Sequence, residues 1–97
     1  MPMTDFDAII IGGGHNGLVC AGYLAKAGKK VLVLEARPEP GGCAATTEFV
    51  PGFRVSNCAQ WLYQLSPAII KDFKLPSYGL NFSAENLATI ALDTAEN

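Results

Sequence analysis

The apolar residues change their spacing twice within the first 34 positions, and the changes outline three elements. Residues 6–11 (FDAIII) form an apolar run of strand length. After a polar, glycine-rich break, Gly17, Ala21, Leu24 and Gly28 recur at three- and four-residue intervals. That spacing places them on one side of a helix over residues 18–27, and their small size permits close contact with a sheet. The run Val31-Leu32-Val33-Leu34 then reads as a second buried strand. Strand, helix and strand in this order predict a β-α-β unit and an α/β fold.

Downstream the pattern is less regular. Residues 37–42 (RPEPGG) carry too much proline and glycine for helix or strand and are expected to form a loop. Residues 45–49 and 53–57 flank Pro51-Gly52, a pair suited to a type II turn, which predicts a β-hairpin. Ser66 before Pro67 is a helix start signal, and Ile69, Ile70 and Phe73 follow at helical spacing, so a helix is expected to about Lys74. Ala88, Ile90 and Leu92 alternate with Thr89, Ala91 and Asp93 as in a half-buried terminal strand. Trp61, Tyr63, Tyr78 and Phe82 could line a pocket, but core or a domain interface is the preferred reading.

The break between the first strand and the helix holds the candidate chemistry. Gly12-Gly13-Gly14-His15-Asn16-Gly17 fits G-x-G-x-x-G at positions 12, 14 and 17. In that motif Gly12 makes the turn out of the strand, and Gly14 lets backbone N–H groups approach a pyrophosphate. Gly17 lets the helix lie close to the strand. A helix N-terminus supplies unpaired N–H groups and partial positive charge to such an anion. Glu35 ends the second strand, 18 residues after Gly17, where the fingerprint places an acid about 20 residues on. A carboxylate there can accept both hydroxyls of an adenosine ribose and would repel a 2′-phosphate, so NADP is disfavoured. The series points to a Rossmann-like dinucleotide-binding fold.

Composition narrows the classes further. The chain has 97 residues, 49% of them hydrophobic, which suits one small globular domain. A net charge of −2 offers no basic patch for nucleic acid. The apolar runs fall short of a membrane span, and no basic n-region precedes the first of them, so neither a transmembrane segment nor a signal peptide is expected. Cys20, Cys43 and Cys58 are an odd number without C-x-x-C spacing, which favours buried or incidental thiols in a reducing compartment, expected to be cytoplasmic. With one histidine in the chain, no metal site is expected, and no residue qualifies by motif as a catalytic acid, base or nucleophile.

A second glycine pair, Gly41-Gly42, follows the ribose-binding acid and is not part of an ordinary NAD site. The segments D-A-I-I-I-G-G-G-H-N-G-L, V-L-V-L-E-A-R and G-G-C-A-A-T resemble the amino-terminal FAD-binding part of the flavin amine oxidase and phytoene desaturase superfamily. Gly13-Gly14-His15-Asn16-Gly17-Leu18, with Pro51-Gly52-Phe53, Ser66-Pro67-Ala68-Ile69-Ile70 and Gly79-Leu80, is similar to its phytoene dehydrogenase-like subgroup. The resemblance implies that Gly12, Gly14, His15, Asn16 and Gly17 present backbone to the FAD pyrophosphate and that Glu35 takes the ribose. It implies that Arg37 lies near adenosine and phosphates, and that Gly41 and Gly42 let the backbone pass the phosphates and ribityl chain. For His15, a loop residue whose backbone alone matters is the preferred reading. Cys43 stands where amine oxidases carry arginine, and a five-apart cysteine pair, the mark of disulfide reductases, is absent.

The resemblance further implies that residues 1–97 are the N-terminal part of a domain whose later strands, flavin-ring contacts and substrate domain lie elsewhere. Catalysis by this chain alone is not expected, although the family is one of FAD-dependent oxidoreductases. An NAD-binding domain is the less favoured cofactor reading. A non-catalytic nucleotide-binding or interaction module, as in the related GDP-dissociation inhibitors, is the rival of another class. An unpaired edge of the first strand is expected to recruit other chains and give a homo-oligomer.

Overall fold

In the computed structural model, residues 5–59, 61–62 and 65–92 are described. The expected α/β architecture is present. Strand β1 (Ala8–Ile11) leads into helix α1 (His15–Lys26), which returns to strand β2 (Val31–Leu34). The strands pair in parallel, with Ala8 opposite Val31 and Ile11 opposite Leu34. A crossover helix between parallel neighbours is the unit that the spacing predicted. At its start the ladder is closed by Asp7, whose N–H donates to the Lys30 carbonyl at 2.8 Å while its carboxylate accepts from the Lys30 N–H at 2.8 Å.

Helix α1 lies across one face of this pair. Ala21 is buried there, and Gly17 and Leu24 are half-buried. Gly17 sets the approach distance, because a Cβ built on it would fall inside the van der Waals shell of the Gly12 carbonyl oxygen and 3.2 Å from Ile10 Cγ2. The helix begins three residues before its expected start at residue 18, since the polar residues His15 and Asn16 and Gly17 already form its first turn. It ends in a Schellman motif. The Lys29 N–H donates to the Leu24 carbonyl at 3.1 Å, the Gly28 N–H to Ala25 at 3.0 Å, and Gly28 supplies the left-handed residue at φ +81°.

The loop that follows β2 runs back to α1 and enters a 3₁₀ turn at Gly42–Ala44. Strands β3 (Thr46–Val50) and β4 (Phe53–Ser56) form the expected antiparallel hairpin, with an irregularity between Glu48 and Val50. Gly52 at φ +85° meets the requirement of the third residue of a type II turn. Helix α2 (Pro67–Asp72) starts on Ser66, whose hydroxyl accepts from the Ala68 N–H at 3.2 Å. It stops before Lys74, which adopts a left-handed conformation at φ +51°, and a 3₁₀ turn over Leu75–Tyr78 takes its place. Phe73 packs edge-on against Tyr23 at 4.8 Å between ring centroids, and the Tyr23 hydroxyl donates to the Asp72 carboxylate at 2.6 Å. Both contacts hold the end of α2 on α1.

The expected terminal strand does not form over residues 88–92; Asp93, its last expected residue, lies outside the described residues, as does Tyr63. Residues 81–92 show no helix or strand, and Ile90 and Leu92 are 79% and 93% exposed. Alternation alone cannot hold a strand, which needs a neighbour to take its backbone hydrogen bonds, and among the described residues no strand pairs with this segment. Of the aromatic group, Trp61, Tyr78 and Phe82 are exposed, so the core reading fails for these three.

Gly17→Ala decides between two opposed effects. In an open helix the change would stabilise by up to about 1 kcal/mol. The clash with the Gly12 carbonyl forces α1 off the sheet instead, and overpacking of this kind costs about 1–3 kcal/mol. Thermal unfolding of the variant should therefore show a lower Tm than that of the parent chain.

Candidate functional site

The site grows from the point where β1 gives way to α1. The ladder extends one step beyond β1, as the Gly12 N–H donates to the Leu34 carbonyl at 2.7 Å. Gly12 then turns the chain at φ +99°, a conformation that excludes most side chains. Helix α1 has Gly14 as its N-cap, with no side-chain capping bond and no acidic residue in the first turn. The Leu18 N–H is the first to bond back, to the Gly14 carbonyl at 2.9 Å. Among the described residues, nothing accepts from the N–H groups of Gly14, Asn16 and Gly17, while that of His15 is turned toward the Gly41 carbonyl by the parallel bridge between Gly14 and Gly41. Three free donors and the positive end of a 12-residue helix thus face one region, the arrangement that binds a phosphate.

Glu35 sits beside these donors, half-buried at the tip of β2. One carboxylate oxygen accepts the Gly13 N–H at 2.7 Å, and the other accepts the Arg37 N–H at 3.0 Å. These bonds, that of Arg37 ahead of that of Gly13, hold the carboxyl below the ordinary glutamate range, and the Arg37 guanidinium adds to the effect. Each oxygen retains a further lone pair for a ligand hydroxyl.

Gly41 and Gly42 close the site from the other side. The Gly41 N–H donates to the Gly13 carbonyl at 2.7 Å, and Gly41 forms a parallel bridge with Gly14. A Cβ on Gly42 would lie 3.1 Å from the Gly14 Cα. The two glycine segments are therefore in backbone contact, which explains why Gly42 is glycine. Gly13, the variable position of the motif, is not among the expected site residues, yet it is one of only two buried described residues. A Cβ there would come within 3.0 Å of Glu35 Oε2 and 3.3 Å of Pro40 Cβ. The third glycine in a row is the available signal.

Two open cavities flank the loop. Arg37 and Gly42 line one of about 450 Å³, of mixed character, with Glu39, Thr47, Glu48 and Arg54. His15 and Asn16 line the other, also of about 450 Å³ and mainly apolar, with Cys43, Trp61, Leu65 and Ile69. The structure thus brings Gly12, Gly14, His15, Asn16, Gly17, Glu35, Gly41 and Gly42 to one locus, with Arg37 at its rim. Among the described residues, no helix is long and apolar enough to cross a membrane.

Comparison with known proteins agrees with this geometry. The chain is 43% identical over 82 residues to rat pyridine nucleotide-disulfide oxidoreductase domain-containing protein 2, a match covering 84% of this chain and 14% of that protein. It is 42% identical over 87 residues to one of the subunits of limonene dehydrogenase from Castellaniella defragrans, covering 89% of this chain and 16% of the relative. Rat all-trans-retinol 13,14-reductase shares 58% identity over 40 residues, 41% of this chain and 7% of the reductase. The chain therefore spans a small part of the length of the relatives it matches. The pattern of the NAD(P)-binding Rossmann-like domain matches residues 10–74, from the end of β1 past α2, and the chain belongs to that family.

Proposed function

We propose that the chain binds FAD through the adenosine and pyrophosphate half of the cofactor, as the N-terminal segment of an FAD-dependent oxidoreductase of the phytoene dehydrogenase-like type. The observation that carries this reading is the set of free amides at Gly14, Asn16 and Gly17 at the start of α1, beside the Glu35 carboxylate. Gly12, Gly14, His15, Asn16 and Gly17 would hold the pyrophosphate with backbone groups, and Glu35 the ribose. Arg37 would add charge near the adenosine and phosphates, and Gly41 and Gly42 would let the chain run on beside the cofactor. The loop suits a phosphate because backbone N–H groups at the first turn of α1 have no acceptor among the described residues. FAD is preferred to NAD because of this second glycine segment, and Glu35 disfavours a 2′-phosphate.

When bound, the flavin supplies hydride or electron transfer; the residues present here bind and orient. Two relatives are named for limonene and for retinol, both isoprenoids, which supports a hydrophobic, isoprenoid-like substrate for the complete oxidoreductase. Residues 1–97 would then form the nucleotide-binding part, with flavin-ring contacts and substrate domain supplied elsewhere, and a cytoplasmic setting suits its free thiols. The other reading, a non-catalytic nucleotide-binding module, shares the same loop and differs only in the absence of redox chemistry.

Exposed apolar surface supports a homo-oligomer. Ile9, Ile11 and Leu34 stand on the sheet face turned away from α1, with Ile11 87% exposed, and the hairpin exposes Phe49 and Phe53. Among the described residues, β1 and β2 pair only with each other, so both sheet edges are open.

Flavin absorbance in the purified chain, with ADP, FAD and NAD titrations by calorimetry, tests the cofactor reading. ADP and FAD should bind more tightly than NAD and NADP; failure of every adenine nucleotide to bind would overturn it. The depressed carboxyl pKa sets the pH dependence. Its stabilising bonds are present above the unfolded value and lost as pH falls through the folded one. FAD affinity should therefore stay level from about pH 8 to pH 5 and fall only below the ordinary glutamate value of about 4.3. Light scattering at micromolar concentration should give a dimer or larger species; a monomeric mass would remove the oligomer.

A further inference from the structure

Gly13 is buried and has no side chain. What is enclosed is its backbone, and both of its polar ends are engaged by distant parts of the chain. Its N–H donates to Glu35 Oε2 at 2.7 Å, across 22 residues of sequence. Its carbonyl accepts from the Gly41 N–H at 2.7 Å. Peptide units are planar and turn only about φ and ψ, and a glycine has the widest freedom in both. In a run of three glycines, local sterics cannot choose one orientation. Nor does a side chain cap the helix start, since Gly14 is the N-cap.

We infer that Glu35 is a positioning residue for the phosphate-binding loop as well as the proposed ribose acceptor: by holding the buried Gly13 N–H it fixes the direction in which the amides at the start of α1 face. The inference rests on the nucleotide-binding reading for its ligand, but not for the clamp itself. Glu35 suits this double part because one carboxylate oxygen can accept an amide and a hydroxyl at once. The second oxygen is steadied by the Arg37 N–H at 3.0 Å, so the carboxylate is set in place before any ligand arrives. Removing it would leave a buried donor unpaired, which the loop can relieve only by turning the Gly13 peptide outward. The ribose and pyrophosphate ends of the site are thereby coupled through a single side chain.

The test separates the two parts of Glu35 by removing the ribose hydroxyls from the ligand. ADP and 2′,3′-dideoxy-ADP are titrated into the parent chain and into Glu35→Ala, and amide hydrogen exchange is followed in both without ligand. If Glu35 positions the loop, Glu35→Ala binds dideoxy-ADP about tenfold more weakly than the parent does, although the ligand has no hydroxyl for the carboxylate to meet. The Gly13 amide should also exchange about tenfold faster while the amides of the β1–β2 ladder keep their protection. Equal dideoxy-ADP affinity in the two proteins, or unchanged exchange at Gly13, overturns the inference. Should Glu35→Ala unfold the chain, Glu35→Leu keeps the bulk without an acceptor oxygen and is read by the same two criteria. If the parent binds neither nucleotide, the nucleotide reading falls, and exchange at Gly13 alone decides the clamp.

Discussion

The Gly13 peptide is the point through which the separate parts of this small structure are joined. Its N–H is held by the tip of β2 and its carbonyl by the segment at Gly41. Each bond is a modest contribution by itself, on the order of 1 kcal/mol for a neutral pair and more for the charged acceptor. Their weight comes from where they act, on a buried group that water cannot satisfy. Together with the contact of Gly17 on the Gly12 carbonyl, they bring strand, loop and helix to distances at which no side chain fits. The loop's shape is thus a property of its neighbours as much as of its glycines.

This arrangement explains how a chain with so little buried surface can present an ordered site. Ala21 is the one buried apolar side chain among the described residues, whereas Phe49, Phe53, Ile11 and Leu92 are largely exposed. Order at the nucleotide end is supplied by directional bonds to the backbone, which need few atoms. The apolar faces of the sheet and hairpin remain available for other surfaces to cover. The chain spans a small part of the length of the relatives it matches.

Where the sequence is legible, a local cause can be named. Strand β2 occupies the same four residues that the VLVL run marks, because an apolar stretch between Lys30 and Glu35 has few other places to go. The hairpin turn is readable from Pro51-Gly52, and the start of α2 from Ser66-Pro67, since each depends on the conformations of one or two residues. Apolar spacing puts the start of α1 three residues late, as the first turn carries polar residues and glycine and shows no apolar period. The terminal strand fails for the opposite reason: Ala88, Ile90 and Leu92 have the right period, but period does not supply a partner.

The sequence by itself determined the order of elements, the glycine loop and the acid that follows it, because spacing, chain stiffness and the demand for small residues act locally. It also carried enough of the pattern to place the chain in its family. Only the tertiary structure decided that Gly41-Gly42 packs on the first glycine loop and that Glu35 reaches back to Gly13. It alone decided that Gly13, the variable position of the motif, is buried at the centre of these contacts. Those facts depend on the parallel pairing of β1 with β2, which sets residues some twenty positions apart side by side, a distance over which residue spacing has no say.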